Sequence, residues 1–433
     1  MIMRSHYISD LDSLNEGDIV TIAGFVNEVR DLKNICFIVI RDATGMMQVT
    51  AKKSNYIEEL LEKIIVPKET VMSVKGKIAK GKGANAGIEI ILEDAEILSK
   101  VYGKVPFDIT DLEAIPEIDV RLDNRHIDLR RKEIQAIFEV RANIQRAFRE
   151  YLTSEKFKEV VPTSITGSIT EGGTDVFEVK YFDKKAYLAQ SPQLYKQMCI
   201  AGGFDRVFMQ IPIFRAEPHA TTTHLNEVYQ MDVELAFSDD ILAMDYLEKT
   251  FKFILSEIIK NNSKELELLK VELKIPEKIP RITYTEMIES LNKNGYSFNW
   301  GEDISREHEK KVCEIYESEA VLITKWPTEL RAFYSKPDKD NPKVCNAFDL
   351  LYRGVEICSG AQRIHDPEEL SAQLIERGLN PEQFEFYIRT FKSGCPPHAG
   401  WSIGAERLTM LICGLSNIRE TVLFPRDQNR LFP

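Results

Sequence analysis

Short apolar, β-branched runs separated by turn residues dominate the first hundred residues. The runs are DIVTIAGFV, ICFIVIRD, GMMQVTA, TVMSVKGKI and GIEIILEDAEIL, and an amphipathic stretch, SNYIEELLEKII, lies between the third and the fourth. Five strands with a helix after the third predict a small closed β-barrel of the oligonucleotide-binding type, the OB-fold. The pattern also leaves an SH3-like barrel or a plain β-sandwich open.

The rest of the chain alternates irregularly between helical and strand-like patterns. Residues 101–132 are charged and show little periodicity, which is typical of a linker. Beyond them, apolar residues recur every three or four positions from Ile137 to Tyr151, which predicts a long amphipathic helix ending near Glu155. Because regular βα alternation is missing, we expect an α+β fold with an antiparallel sheet flanked by helices. The predicted parts are a barrel over 1–104, a linker over 105–132, and a domain over 133–433 with an insertion at about 240–340.

The charge distribution limits how the protein could meet nucleic acid. The net charge is −12, but residues 1–104 carry 14 Lys and Arg against 15 Asp and Glu, so nearly all the acid excess falls in the second domain. This balance excludes coating of nucleic acid by charge alone and leaves recognition of one folded RNA by stacking and shape.

Cysteine spacing and hydropathy bear on the cellular setting. The seven cysteines show no zinc-site spacing. No window approaches the roughly 18 unbroken apolar residues of a membrane helix, and the start of the chain shows no apolar signal core. We therefore expect free thiols, no membrane partner and a cytoplasmic location.

Three blocks of the second domain carry residues suited to chemistry on phosphates. In FRAEPHATTTHLNE, Arg215 and Glu217 share one face of a predicted strand, so an Arg able to hold a phosphate lies beside a carboxylate able to accept from an amino group. An ion pair on a solvated sheet face is the alternative. In FDLLYRGVEICSG, Asp349 and Glu356 offer hard oxygen ligands for Mg²⁺. In GWSIGAERLTMLICG, Arg407 lies at a helix start, which suits phosphate but also plain helix packing.

Taken in order, these blocks resemble the three signature motifs of class II aminoacyl-tRNA synthetases: a long helix leading to Pro162, the FRAE…H strand and loop, and the SIGAER helix start. The strings TEGGTDVF, LAQSPQLYKQ, HLNEVYQMD, GVEICSGAQRIHD and NIRETVLFPRD are similar to aspartyl-tRNA synthetases of the archaeal type. The resemblance covers nearly the whole chain. It implies a catalytic domain that joins L-aspartate to ATP and then to the 3′ end of tRNA(Asp), with Mg²⁺ as cofactor.

The resemblance also implies roles for individual residues. Arg215 and Arg407 would be catalytic and hold the α- and γ-phosphates. ATP would contact Arg215, Ala216, Glu217, Thr223, His224, Leu225, Glu356, Gly404, Ala405, Glu406 and Arg407, and Mg²⁺ would be held by Asp349, Glu356 and Ser359. The aspartate would contact Glu171, Ser191, Gln193, Lys196, Arg215, Asp232, Ser359 and Arg363. Among these, Lys196 and Arg363 would face its side-chain carboxylate, although Lys196 also suits an ordinary helix surface.

In the barrel, the resemblance places Arg30, Phe37 and Gln48 on the tRNA anticodon, although Phe37 also suits a core position. The long helix of the first motif implies a homodimer. Two departures concern ATP, because Thr223 and Ser402 stand where relatives commonly carry Arg and Gly.

Two further departures concern the range of tRNAs. At Asn27 and Asn85 the chain lacks the Trp and the Lys that are common in enzymes strict for tRNA(Asp). Relaxed relatives, which also charge tRNA(Asn), often carry a His at the first position, and this His is absent too. The missing Trp and Lys favour an enzyme that also charges tRNA(Asn).

Three alternatives within reach of the same motifs are asparaginyl-tRNA synthetase, an aspartate-adenylating paralogue that charges no tRNA, and a nucleic-acid-binding protein with an inactive catalytic domain. The SPQLYK string with Lys196 speaks against the first. The three barrel residues speak against the second, and the nearly complete set of nucleotide and Mg²⁺ residues against the third.

Overall fold

A computed structural model describes residues 3–56, 58–81, 87–110, 114–167, 169, 175–218 and 221–432. The chain divides into two compact units, Met1–Glu117 and Ile118–Pro433. The boundary between them falls inside the predicted linker, 105–132.

The first unit is a closed β-barrel. Its elements are β1 (Ile19–Asp31), β2 (Ile35–Arg41), β3 (Met46–Lys52), α1 (Glu58–Ile64), β4 (Val71–Lys80) and β5 (Ile88–Ser99). The strands close in the order β1-β2-β3-β5-β4, with antiparallel β1 and β4 completing the circle. Alternate residues such as Cys36, Ile38 and Ile40 are fully buried, because successive side chains of a strand point to opposite faces. The closed barrel with its helix after the third strand is the predicted one.

The second unit combines sheets and helices. Its elements are α2 (Ile118–Asp123), α3 (Arg125–Asp128), α4 (Lys132–Ser154), β6 (Lys158–Glu159), β7 (Ile165–Thr166), β8 (Glu178–Tyr181), β9 (Lys184–Leu188), α5 (Gln193–Ala201), β10 (Arg206–Phe214), β11 (Glu227–Ala236), α6 (Asp240–Asn261), α7 (Ser263–Leu268), β12 (Arg281–Thr283), α8 (Tyr284–Lys293), α9 (Arg306–Ile315), β13 (Ala320–Thr324), β14 (Ala347–Tyr352), β15 (Val355–Arg363), α10 (Pro367–Glu376), α11 (Glu385–Lys392), β16 (His398–Gly404) and α12 (Ala405–Ile412).

The main sheet has the order β12-β13-β14-β15-β16-β11-β10-β6 in the described part of the unit. Every pair from β13 to β10 is antiparallel, as predicted, but the outer pairs β12–β13 and β10–β6 are parallel. The predicted α+β fold on an antiparallel sheet is therefore confirmed, with one parallel pair added at each edge. Parallel neighbours need a crossover connection, and helices α8 and α9 supply it between β12 and β13.

Helix α4 packs its apolar face against the centre of this sheet. Val140, Ile144 and Phe148 are fully buried on one side of the helix, as the apolar periodicity predicts. The Phe148 ring meets the Trp401 ring of β16 edge-on, with ring centroids 6.0 Å apart. The helix thereby supports the strand that leads into α12.

The charged segment predicted as linker is partly folded into the second unit. Arg125 and Asp128 are almost completely buried, and Arg125 Nη1 donates to Asp128 Oδ2 at 2.7 Å. Arg125 also donates to the backbone oxygens of Val422 and Leu423 at 2.9 and 3.0 Å. The charged side chains, which predict a solvent-exposed segment, pair with each other and with backbone oxygens. Their burial is tolerated for this reason.

The segment predicted as an insertion, 240–340, also contributes to the main body. Helix α6 buries Phe251 and Leu255 in the same apolar core as Trp401. Strands β12 and β13 extend the main sheet.

All seven cysteines are free, and five of them are buried. Among the described residues, no helix combines the length and the hydropathy that crossing a membrane requires.

Candidate active site

Two adjoining cavities open along the antiparallel centre of the main sheet. Their volumes are about 160 Å³ and about 220 Å³, respectively. The two share a wall formed by Arg215, Gln230, Ser359 and Ser402. A ligand group in one cavity can therefore meet a ligand group in the other beside Arg215.

The first cavity collects most of the residues predicted for ATP. Its lining includes Arg215, Glu217, Thr223, His224, Leu225, Glu356, Gly404, Glu406 and Arg407. Ala216 and Ala405 are not part of the lining: the Ala216 N–H donates to the Asp175 backbone oxygen at 3.0 Å, and Ala405 is fully buried in the core. Thr223, which departs from the family pattern, lies at the cavity, and Thr221 Oγ1 is 2.6 Å from His224 Nδ1.

Arg215 and Glu217, predicted on one face of a strand, lie in the segment that follows the end of β10, and the side chain of Asn226 holds this segment in place. Its Nδ2 donates to the backbone oxygens of Arg215 at 2.7 Å and Glu217 at 3.1 Å. Its own backbone N–H donates to the oxygen of Arg426 at 2.8 Å, and the Ile418 N–H donates to the oxygen of Thr222 at the same distance. The loop between β10 and β11 is thus tied to the C-terminal segment.

Replacing Asn226 by Ala removes both donors from the backbone that carries Arg215 and Glu217. We expect kcat of the adenylation reaction proposed below to fall about tenfold to a hundredfold, because small displacements of positioning groups are costly. Pyrophosphate exchange measures this rate. Asn292→Ala is the matched control, since Asn292 also fixes a loop through its backbone, donating to the Phe298 oxygen and accepting from the Phe298 N–H, but lines neither cavity. Equal losses in both variants would contradict a local role for Asn226.

The start of α12 brings a cation and a buried carboxylate to the first cavity. Arg407 Nη1 donates to the backbone oxygen of Glu356 at 3.1 Å and lies 4.0 Å from its carboxylate. Glu406 is only 2% exposed, and its carboxylate accepts from Arg141 at 2.6 Å and from the Tyr229 N–H at 2.9 Å. Glu406 therefore fixes the local backbone, while Arg407 faces the cavity.

The two acids predicted for Mg²⁺ lie close together across β14 and β15. Loss of hydration and the neighbouring Asp349 carboxylate raise the pKa of Glu356 to about 7. Asp349 Oδ1 is buried and accepts no hydrogen bond from the described residues. Ser359 is paired with Asp349 in the β14–β15 register. Two neighbouring carboxylates repel each other, and a bound cation between them would relieve this repulsion.

Arg331 belongs to the site although no sequence motif marks it, because it falls in the segment predicted as an insertion. Its guanidinium pairs with Asp349 Oδ2, donates to Ser359 Oγ at 3.3 Å and covers the Trp326 ring at 4.2 Å. It also lines the second cavity. Burial opposes the charge of Arg331, but Asp349 outweighs this and raises its pKa.

The second cavity contains every described residue predicted for aspartate. These are Ser191, Gln193, Lys196, Arg215, Asp232, Ser359 and Arg363. Glu171 lies outside the described residues. Lys196 is 1% exposed, which excludes an ordinary helix-surface position.

Glu234 connects the two cations of this cavity and was also missed. Its carboxylate lies 3.4 Å from Lys196 Nζ and accepts from Arg363 Nε at 3.1 Å. Burial raises the pKa of Glu234, but Arg363 and Lys196 outweigh that effect and lower it overall. A Cβ at Gly400 would come within 2.2 Å of the Glu234 carboxylate, so only glycine fits beside it. The alternation along β11 signals this residue, since Asp232 and Glu234 share a face.

Asp232 is held from two sides. Lys196 Nζ donates to Asp232 Oδ1 at 2.9 Å, and Ser402 Oγ donates to Oδ2 at 3.2 Å. Ser402, which departs from the family pattern, is the register partner of Asp232 on β16. Its hydroxyl therefore acts on the carboxylate predicted to receive the α-amino group.

The residues predicted for the anticodon lie on one outer face of the barrel. Phe37 pairs with Arg30 across β1 and β2, and Gln48 pairs with Val39, two residues along the same strand. Phe37 is partly exposed, whereas its neighbours Cys36 and Ile38 fill the core, so the core alternative for Phe37 is wrong. Arg30 contacts Glu28 at 2.9 Å.

One of the two positions linked to tRNA choice can be placed. Asn27 lies at a β-bulge between Val26 and Glu28, and its Oδ1 accepts from Arg41 Nη1 at 2.6 Å. Asn85 lies outside the described residues.

Two families match the chain. Residues 117–428 match the family described as tRNA synthetases class II (D, K and N), and residues 20–98 match the OB-fold nucleic acid binding domain. The barrel match agrees with the OB prediction rather than with an SH3-like barrel or a β-sandwich.

Curated relatives and solved structures agree with these matches. The chain is 46% identical to the aspartate–tRNA(Asp/Asn) ligase of Methanocaldococcus jannaschii, covering 99% of this chain and 98% of the relative. It is also 46% identical to the aspartate–tRNA(Asp) ligase of Pyrococcus abyssi, covering all of both chains. The crystal structure of asparaginyl-tRNA synthetase from Pyrococcus horikoshii with asparaginyl-adenylate superposes with a TM-score of 0.94 at 31% identity, covering all of both chains. The chain therefore belongs to the class II tRNA synthetases, in the same family as these aspartate–tRNA ligases.

Proposed function

We propose that the protein is an aspartate–tRNA ligase, which activates L-aspartate with ATP and transfers it to the 3′ end of tRNA(Asp) and tRNA(Asn). The charge of the second cavity is the observation that carries this proposal. Lys196, Arg215 and Arg363 line it, while Asp232 and Glu234 pair with two of these cations. Glu217, 3.9 Å from Arg215, lines only the first cavity, so three cations against two carboxylates leave one positive charge in the second.

This net charge matches L-aspartate, which carries one negative charge overall at neutral pH. Asparagine is neutral overall and would leave a buried positive charge without a partner, which is costly. The Arg331–Asp349 pair does not change the balance, because its two charges cancel. The cavity charge therefore favours aspartate over its amide.

The shared wall of the two cavities supports the chemistry. In the first step, the α-carboxylate of aspartate attacks the α-phosphorus of ATP, the bond to the bridging oxygen breaks, and pyrophosphate leaves. In the second, the 3′-hydroxyl of the terminal tRNA adenosine attacks the carbonyl carbon and loses its proton, and AMP leaves. Neither step needs a protein nucleophile, so positioning and charge stabilisation carry the catalysis.

Each cavity supplies part of that positioning. Arg215, which lines both, holds the carboxylate and the α-phosphate together, and Arg407 holds the γ-phosphate. Glu217 receives the adenine amino group. Gln193 and Asp232 receive the α-amino group of aspartate.

Asp349, Glu356 and Ser359 fit Mg²⁺, because a buried carboxylate oxygen without a partner lies beside a carboxylate of raised pKa. The described residues hold no group of three or more acidic, His or Cys ligands, so substrate phosphates and water would have to complete the coordination of the ion. When bound, Mg²⁺ would neutralise charge on the phosphates. Arg331 would hold Asp349 in place beside it.

The outer barrel face supports anticodon binding by stacking. Replacing Phe37 by Ala should raise KM for tRNA by roughly tenfold, because stacking of a base on an aromatic ring contributes about 1–3 kcal/mol. Pyrophosphate exchange, which needs no tRNA, should keep its wild-type rate. Tyr7→Ala is the control, since Tyr7 is a 42% exposed aromatic of the same unit outside the barrel strands. A similar KM for tRNA in wild type and Phe37→Ala would exclude stacking at this residue.

Charging of purified tRNA(Asp) and tRNA(Asn) with labelled aspartate tests the function directly. We expect both tRNAs to be charged, because no bulky side chain stands at Asn27, whose oxygen is engaged by Arg41. Asparagine and lysine serve as control amino acids and should not be transferred.

Each other outcome has its own meaning. Charging of tRNA(Asp) alone would show a strict enzyme, and transfer of asparagine would identify an asparaginyl-tRNA synthetase. Aspartate-dependent exchange without charging of either tRNA would identify an adenylating paralogue.

We further propose a cytoplasmic homodimer. Large apolar side chains stay exposed in the segment after α4, where Val161 is 82% and Ile165 42% exposed. The motif that this segment resembles supports a subunit interface, and the free thiols support a reducing compartment. A sedimentation mass near the 49.7 kDa of one chain would contradict the dimer.

A further inference from the structure

A series of buried polar side chains lies behind the second cavity. Gln193 and Gln197 are one turn apart on α5, Tyr387 lies on α11, and His398 begins β16. Gln193 is 4% exposed and the other three are fully buried. Only Gln193 lines the cavity, so the roles of the other three in the reaction are open.

The protonation of His398 follows from its contacts. His398 Nδ1 lies 2.9 Å from the backbone oxygen of Pro396, and a carbonyl oxygen can only accept, so Nδ1 carries the proton. The Cys395 thiol is farther away, at 3.7 Å. Burial lowers the pKa of His398 to about 4, so the ring is neutral at pH 7 and Nε2 is an acceptor.

This tautomer determines the orientation of Gln197. His398 Nε2 lies 2.9 Å from Gln197 Nε2, which donates to it. A reversed Gln197 carboxamide would bring two acceptors together at this distance. Gln197 Oε1 must therefore face away from the histidine.

The orientation of the Gln197 amide in turn determines that of the Gln193 amide. Gln197 Oε1 accepts from Tyr387 OH at 2.9 Å and from Gln193 Nε2 at 2.8 Å. Because the amide nitrogen of Gln193 is directed to this oxygen, Gln193 Oε1 is directed toward the cavity that Gln193 lines.

We propose that His398 is a positioning residue for the α-amino group of aspartate, acting through Gln197 to turn the Gln193 oxygen toward that group. This inference rests on the proposed function, in which Gln193 and Asp232 receive the α-amino group. An ammonium group has three donors and no acceptor, so a reversed Gln193 amide would set donor against donor. The histidine thereby contributes to substrate recognition without touching the substrate.

Replacing His398 by Met removes the acceptor that holds Gln197. In pyrophosphate exchange, we expect KM for aspartate to rise on the order of tenfold, because a buried donor loses its partner and the Gln193 amide is free to reverse. KM for ATP should stay at the wild-type value. His398→Gln places a carboxamide that can accept from Gln197 and should recover part of the loss. Tyr387→Phe is the control. It removes one donor to Gln197 Oε1 but keeps the hydrogen bonds that orient the amides of Gln197 and Gln193.

A second measurement uses the wild-type protein and does not depend on how a variant folds. With ¹⁵N only in its seven histidines, the His398 ring should show a proton on Nδ1 and none on Nε2. A proton on Nε2 would overturn the inference. So would equal rises of KM for aspartate and ATP in His398→Met, or an unchanged KM for aspartate. A wild-type protein without aspartate-dependent exchange would instead refute the proposed function itself.

Discussion

Lys196→Ala should abolish aspartate-dependent pyrophosphate exchange. Lys196 Nζ contacts Asp232 at 2.9 Å and Glu234 at 3.4 Å in a site almost closed to water. Its removal leaves Arg215 and Arg363 against Asp232 and Glu234, so the second cavity becomes neutral and no longer balances the net negative charge of the substrate. Removing one partner of a buried charge pair costs about 2–5 kcal/mol, so we expect kcat/KM for aspartate to fall by roughly thirtyfold to several thousandfold.

The control separates this effect from general destabilisation. Lys252→Ala removes a lysine of the same unit that pairs with Glu248 at 2.8 Å on α6 and lines neither cavity. It should keep wild-type exchange. Thermal unfolding of Lys196→Ala should still be cooperative, and near-normal exchange in this variant would remove Lys196 from the site.

Arg215→Ala should have the second large effect on the reaction, and it should lower kcat. Arg215 is the cation that lines both cavities, where it can hold the attacking carboxylate and the α-phosphate together. Its side chain is 41% exposed and its distance to Glu217 is 3.9 Å, so its loss leaves no buried charge behind. Removal of one preorganised charge-stabilising group costs roughly a hundredfold to a thousandfold in kcat, and Arg215→Ala should fall in this range.

Arg215→Lys distinguishes charge from geometry. Lysine keeps the charge but lacks the planar fork that contacts two oxygens at once, so we expect it to recover only a small part of the rate. Arg206→Ala is the matched control at the opposite end of β10, where Arg206 donates to the backbone oxygen of Glu155 at 3.0 Å. A rate loss in Arg206→Ala as large as in Arg215→Ala would show that the strand, rather than the guanidinium, is responsible.

Local patterns were sufficient for the barrel and for much of the site. Alternating burial in β2 follows directly from the ICFIVIR pattern, and it also decides that Phe37 faces outward. Arg215 and Glu217 share a cavity, as their spacing suggested, but both lie just beyond the end of β10 rather than on one face of a strand. Long motifs in the right order indicated the class II family.

Other residues could not be recognised from local patterns because their partners are distant in sequence. Arg331 meets Asp349 and Ser359, and Glu234 meets Arg363, only once the sheet has formed. Arg125 and Asp128 look solvated in the sequence, yet they are buried because each satisfies the other. A charged residue is predicted to be exposed unless the residue that pairs with it is known, and the sequence alone does not show that pairing.

The sequence by itself determined the order of the elements in the barrel, the long helix α4, the family and the chemical type of the residues around the two cavities. Only the tertiary structure decided that these cavities share a wall at Arg215, that the second carries one net positive charge, and that His398 reaches Gln193 through Gln197. The physical reason is that hydrogen-bond direction and charge balance depend on which groups meet in space. Residues 193 and 398 are neighbours through the fold and not through the chain.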